Sequence, residues 1–302
     1  MAELAPPPDG ILLAHFIVSA DVERSRRFYT DVLGGRLVFS GDVTYVALSN
    51  SWIIINVGGG PTDDKPAVTL ETPPDPDRVS SFLNIRVTDI ETVYERWSAR
   101  GANFLTPPKP HAYETRCYIR DPDGHLIEVG QTTDADGDWV PAQWPSGTPG
   151  SETEGMVLTR FIVSDDVERS CRFYTQVLGG RVVFSGQPAG EPTNVALSNG
   201  FIVSSVGGGP TDDKPAVTLE TPPDPDRVSS FLNIRVKDIE TVYAQWSARG
   251  AQFLTPPKQH RYETRCYIRD PDGHLIEVGQ ATDPDNDWMP AHWPSSTSAQ
   301  AS

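Results

Sequence analysis

Apolar and polar residues follow one another along this chain in short runs of two kinds, and the runs recur in a fixed order. "AHFIVS" (14–19) predicts a strand. "DVERSRRFYTDVLGG" (21–35) predicts a helix, because Val22, Phe28, Tyr29 and Val32 fall near helical spacing. Asp21 or Ser19 is placed to cap its start, and Gly34 and Gly35 to end it. "RLVFSG", "TYVALSN" and "WIIINVG" then predict three short strands. After a Pro-rich connection the pattern restarts. "FLNIRV" predicts a strand, and "DIETVYERWSARG" a capped helix with Ile90, Val93, Tyr94 and Trp97 inward. "NFLTPP", "TRCYIRD" and "HLIEVGQ" predict three further strands. The order is therefore βαβββ, twice.

The whole pattern is then written again. "FIVSADVERSRRFYTDVLGGRLVFSG" from Phe16 returns as "FIVSDDVERSCRFYTQVLGGRVVFSG" from Phe161, and Val57–Val87 is identical to Val206–Val236. A short insertion in the second copy falls near Gly186–Pro192. So long a period is a duplicated domain, not a solenoid repeat. The expected organisation is a disordered N-terminus (1–10), a first domain (11–147), a Pro/Gly-rich linker (148–155), a second domain (156–294) and a disordered tail (295–302). Trp139, Trp144, Trp288 and Trp293 end the two copies and are expected to pack back on their own domain.

Composition narrows the partners. The 302 residues carry a formal net charge of −16. Such a surface disfavours nucleic acid and anionic membrane. "ILLAHFIVS" is too short to span a bilayer, and no basic-then-apolar leader opens the chain. Three cysteines, an odd number, suit a reduced cytoplasmic protein without disulfides.

"DVERSRRFYTDVLGG", "VTDIETVYERWSARGANF" and "DPDGHLIEVG" together resemble the vicinal oxygen chelate superfamily, which includes glyoxalase I, extradiol dioxygenases, fosfomycin-resistance enzymes and bleomycin-binding proteins. The resemblance covers both copies. It implies an α+β fold of tandem glyoxalase/bleomycin-resistance-like domains, each of two βαβββ units, with a curved sheet around a cavity that holds ligand and metal. It also implies metal ligands on the first strand of a unit, often His, and on its last strand, often Glu. Carried over, these positions are His15, Glu128 and Glu277. The second copy has Arg160 at the place of His15, the strands opening the second units offer Phe82 and Phe231, and the fourth strands offer Asn56 and Ser205. His15 also sits one residue closer to Asp21 than the family's ligand does. In a strand, one residue reverses the face. His15 is therefore either a ligand or a histidine packed at the strand start.

Alternation then selects a cavity-facing set. If Glu128 faces in, so do Phe82, Asn84, Arg86, Arg116 and Tyr118, repeated as Phe231, Asn233, Arg235, Arg265, Tyr267 and Glu277. A buried glutamate needs a partner. Either Glu128 pairs with Arg116 or it binds a metal. His111 and His260 precede the seventh strand and are candidates for a third donor or a general base, with Glu128 the other catalytic candidate. His125 and His274 read as turn positions. Cys117 and Cys266 alternate to the helix side as inert thiols. The connection Gly58–Ser81 is either a lid or a surface wrap.

The expectation is a protein that handles a small molecule: a ligand-binding, resistance- or sequestration-type member with at most one metal site. The alternative is a glyoxalase-type lyase or isomerase, or an extradiol-type dioxygenase, using divalent Zn, Ni, Mn or Fe with copy one active. The two copies are expected to pair within the chain, as a monomer or a homodimer.

Overall fold

A computed structural model of the chain describes residues 10–41, 43–133, 151–186 and 192–282. The four Trp residues at the ends of the copies, the N-terminus, the tail and most of the second-copy insertion lie outside the described residues. The fold is α+β, and its elements follow the expected order. Unit 1 (11–56) has strands Ile11–Val18, Arg36–Ser40, Thr44–Leu48 and Ser51–Asn56. Unit 2 (81–132) has strands Ser81–Val87, Glu114–Arg120 and Leu126–Thr132, a short strand Asn103–Phe104, and the helix Ile90–Ala99. Units 3 (156–205) and 4 (230–281) repeat them, opening with Met156–Val163 and Ser230–Val236.

The first helix is capped by Asp21, whose carboxylate accepts from the Arg24 amide. It runs as an α-helix over Val22–Arg27 and then widens to a π turn over Phe28–Val32. The extra residue in that turn brings Phe28, Tyr29 and Leu33 onto one core. Gly35 closes it, its amide donating to Tyr29 O at 2.9 Å. A Cβ on Gly35 would lie 2.7 Å from that carbonyl, so no side chain fits there.

Sheet pairing crosses between the copies. Ile11–Val18 of unit 1 lies antiparallel to Ser230–Val236 of unit 4, with Phe16 opposite Phe231. Met156–Val163 of unit 3 lies antiparallel to Ser81–Val87 of unit 2, with Phe161 opposite Phe82. Units 1 and 4 thus make one eight-stranded sheet, and units 2 and 3 make one of nine strands. The helix-side cores instead stay largely within a copy. Ile17, Ile53 and Ile55 of unit 1 pack with Leu83, Ile85, Ile127 and Val129 of unit 2. The same holds for units 3 and 4, with Leu13 reaching across. Each copy owns a core, and each sheet belongs to both copies. Separating the copies would split both sheets between their central strands.

The turn "DPDGH" holds each copy closed. Asp121 accepts from the amides of Asp123 and His125 and from Tyr29 Oη. Asp123 accepts from Ala20 N, Ser25 Oγ and Arg24. The turn of unit 2 is therefore fastened to the helix start of unit 1. His125 Nε2 lies 2.8 Å from Val18 O, which keeps it in this structural role. The described part of the linker is docked, with Glu152 paired to Arg100 at 2.6 Å.

The long connections also cross over. Thr69–Leu70 pairs with Arg227–Val228, and Thr218–Leu219 with Arg78–Val79. They are ordered wraps, yet Asp64 and Val68 (and Asp213 and Val217) are fully buried beneath them. The expected choice between wrap and lid resolves into a wrap that also closes a concave face.

Candidate functional site: two concave faces

Alternation along the strands decides what faces the hollow of each sheet. Leu83, Ile85 and Val87 enter the helix-side core, which leaves Phe82, Asn84 and Arg86 on the concave side. Ile127 and Val129 likewise leave Glu128 there. The register sets Glu128 beside both Asn84 and Tyr118. Asn84 Nδ2 donates to Glu128 Oε1 at 2.6 Å, and Tyr118 Oη donates to Oε2 at 2.7 Å. Arg86 Nη1 stands 3.6 Å from the same carboxylate and 2.6 Å from Glu114. Arg86 can lie flat across the strand because Gly130 has no side chain; a Cβ there would meet its Nη1 at 2.1 Å.

The second face repeats this set. Asn233 and Tyr267 each hold Glu277 at 2.7 Å, and Arg235 lies 3.8 Å from it and 2.6 Å from Glu263. Burial raises the Glu128 and Glu277 carboxyls, and the neighbouring Glu114 and Glu263 raise them further. Burial acts on Glu114 in the same sense, but Arg86 and Arg116 outweigh it and hold that carboxyl below its ordinary value.

The anticipated Glu128–Arg116 pair does not form. Arg116 turns to Glu114 Oε1 at 2.9 Å and to Asp213 Oδ2 at 2.5 Å. Asp213 comes from the connection that follows unit 3, a segment without periodicity in which sequence reasoning missed it. Thr211 also donates to Asp213, and His111 Nε2 stands 3.0 Å from Oδ2. In the other face Asp64 meets Arg265 at 2.5 Å and His260 at 3.0 Å. Burial pushes both aspartates up, but hydrogen bonds from the arginines win and their carboxyls sit below the usual range. Each hollow is thus closed by an aspartate seated on an arginine.

His15 does not join Glu128 or Glu277. Its neighbours Ala14 and Phe16 face the hollow, and His15 lies on the opposite side of the strand with Leu13 and Ile17. It also belongs to the other sheet from Glu128. At the middle of each hollow stand stacked phenylalanines instead: Phe16 on Phe231 at 4.3 Å, and Phe82 on Phe161 at 4.4 Å. A divalent ion needs about three or four protein donors. Each face offers two glutamates, Glu128 with Glu114 or Glu277 with Glu263, and all four oxygens already accept from side chains of the face, so its residues do not fit a metal. Among the described residues, two other groups bring three donors within 4.8 Å of one another: His111 with Asp212 and Asp213, and His260 with Asp63 and Asp64. There the arginine already occupies the buried carboxylate oxygen, placing positive charge where an ion would sit.

Cys117 and Cys266 are buried on the helix side, and burial pushes their thiols up to about 12. No helix among the described residues is long and apolar enough to cross a membrane.

Curved sheets of paired βαβββ units with a charged hollow define the class. The chain belongs to the glyoxalase/bleomycin resistance protein/dioxygenase superfamily, whose family model matches residues 12–129 and 156–278. It is similar to a lactoylglutathione lyase of Arabidopsis thaliana, 25% identical over 189 residues, which span 59% of this chain and 58% of that protein. A Synechocystis protein named "Probable lactoylglutathione lyase" is 26% identical over 129 residues, 40% of this chain and 95% of its own. The crystal structure of glyoxalase I from Zea mays shares the fold, with TM-score 0.57 and 16% identity over 94% of this chain and 98% of that one.

Proposed function

We propose that the protein binds a small molecule bearing a carboxylate or phosphate in each concave face, without a resident metal. One observation carries this reading: an aspartate of the chain itself occupies the arginine of each face. Arg116 and Arg265 are built to take an anionic oxygen in a hollow that sets a paired charge network beside an aromatic wall. Asp213 and Asp64 stand where a ligand's acidic group would bind, so the connection is a displaceable lid. Phe82 and Tyr118 (and Phe231 and Tyr267) supply the apolar wall, and Asn84 and Asn233 hold the glutamates in place. His111 and His260 would follow the incoming anion at the mouth.

A second reading, a metal-dependent lyase, is favoured by the names of the two curated relatives. It would use the His–Asp groups after the arginine had swung away. Calorimetric titration of the full chain with benzoate and phenyl phosphate separates the two. Binding that survives chelator, and that tightens about tenfold in the Asp64→Asn, Asp213→Asn double variant, supports the proposed reading, since removing a competing state raises apparent affinity by its population. One tightly held metal per chain, with probe binding lost on chelation, would replace it with the second.

A further inference from the structure

A cavity of about 90 Å³ lies where the two copies meet, lined from both sheets, reaching the surface at Asp75, Arg78, Asp224 and Arg227, and apart from the charged networks of the concave faces. Its walls come from both copies in nearly matched pairs: Ser81 with Ser230, His125 with His274, Arg78 with Arg227. One pair is unlike. Copy one contributes His15 and copy two contributes Arg160.

Arg160 is 3% exposed. Its Nη2 donates to Ser81 Oγ at 2.6 Å and to Ser230 Oγ at 2.9 Å, so one guanidinium bridges equivalent residues of both copies. Among the described residues no carboxylate pairs with it. The other lining arginines are paired, Arg78 with Glu220 and Arg227 with Glu71, and Asp75 and Asp224 accept from backbone amides of their own turns. A buried guanidinium without an anion is costly. Because Ser81 and Ser230 accept from Arg160, their hydroxyl hydrogens are left to point onward. His15 is also buried, and its Nδ1 has no partner among the described residues. Burial, and then Arg160, lower its imidazole to about 3, which keeps it neutral with one N–H to give. The cavity therefore gathers donors around a fixed positive charge, with room for a few heavy atoms.

We propose that this cavity is a binding site for one small oxyanion, a carboxylate or inorganic phosphate, held by Arg160 with Ser81, Ser230 and His15. The anion completes the junction where all four units meet, so its binding reports on the integrity of the duplicated assembly.

The test is calorimetric melting of the full chain at constant ionic strength with phosphate, acetate or chloride. Wild type is compared with Arg160→His and Arg160→Met. Arg160→His installs the residue that copy one carries at this position, so the variant is expected to fold. Wild type should show a rise of about 3 °C at tenfold excess over Kd in phosphate, acetate or both, growing with the logarithm of concentration. Both variants should lose the share of it that Arg160 provides, whatever the concave faces contribute. The arm that responds identifies the anion as carboxylate or phosphate. The concave arginines are intact in all three proteins, so any binding there contributes equally, and a rise of the same size in wild type and both variants places the anion elsewhere and overturns the proposal. No rise in wild type, or an equal rise in chloride, also overturns it.

Discussion

The two concave faces differ chiefly in one half, the other differing at Thr132, which Arg86 donates to, where the second face has Ala281. The half from unit 2 or unit 4 carries the same six side chains in both, from Phe82 or Phe231 through Glu128 or Glu277. The half from unit 1 or unit 3 diverges. One hollow has Ala14, Tyr45, Trp52 and Asn56, and the other has Thr159, Asn194, Phe201 and Ser205 at the matching places. The invariant half is a closed set of charges in which every member is another's partner, so a change in one strands the rest. The divergent half packs by shape, and shape can drift one residue at a time. The face of Asn194 and Phe201 has the smaller side chain at three of these four places, and Asn194 Oδ1 is buried there without a partner among the described residues. The two hollows thus share a way of gripping an anion and differ in what they accept beside it.

The largest expected effect tests whether the shared half is equivalent in both faces. Glu128→Ala and Glu277→Ala each remove a buried carboxylate from beside two arginines, a loss of about 3–5 kcal/mol. Urea unfolding should place the two variants within about 1 kcal/mol of each other, the usual scatter for like changes in like surroundings. A gap larger than that would show that one network leans on its divergent half, and the comparison would fail. Glu128→Gln and Glu277→Gln keep the size and the Tyr contact, and should cost clearly less.

Much of this site was legible in the chain, for a physical reason. Side chains alternate with period two in every strand, so Ile127 and Val129 leave Glu128 no choice of face, and the same logic gathers Phe82, Asn84, Arg86, Arg116 and Tyr118. The same parity shows why His15 misses the hollow: it is one residue out of step with Ala14 and Phe16. Other features have no period to read. Asp64 and Asp213 sit in connections whose course depends on the sheet they cover. The crossing of the copies was equally hidden. Units 2 and 4 are so nearly identical that either one could complete the sheet of unit 1, and the sequence cannot rank them. The π turn escaped because Phe28, Tyr29 and Val32 also satisfy an α-helical spacing.

An intermediate effect sharpens the divergent half. Trp52→Phe converts one position of the Glu277 hollow to its counterpart, and should cost about 1 kcal/mol, less than a full truncation of a buried aromatic. Asn194→Tyr makes the reverse change in the Glu128 hollow and fills its space. Titration with benzoate should then show the two sites drawing together after Trp52→Phe, and the Glu128 site weakening after Asn194→Tyr. If neither variant moves either affinity, the divergent halves do not touch the ligand and the comparison reduces to packing.

The smallest effect concerns the lids and follows from the sign of their carboxyl shifts. Asp64 and Asp213 are held below their ordinary value of 3.8, because Arg265 and Arg116 outweigh burial. A carboxyl lowered by folding lends stability above its unfolded value, and that stability is lost as pH falls through the folded value. Glu128 and Glu277 are raised, so their contribution runs the other way: it is present below 4.5 and lost as pH rises through their folded value. The two trends overlap in a simple acid melt, and the Asp64→Asn, Asp213→Asn double variant separates them. It retains both glutamates and lacks only the lid carboxylates. The difference in melting temperature between wild type and this variant should be flat from neutral pH to about 4 and shrink below it. A difference that instead changes above pH 4.5, the ordinary glutamate value, would assign the titration to the glutamates. It would also mean that lid and network are coupled, so that the aspartate cannot leave its arginine without the buried carboxylate taking up a proton.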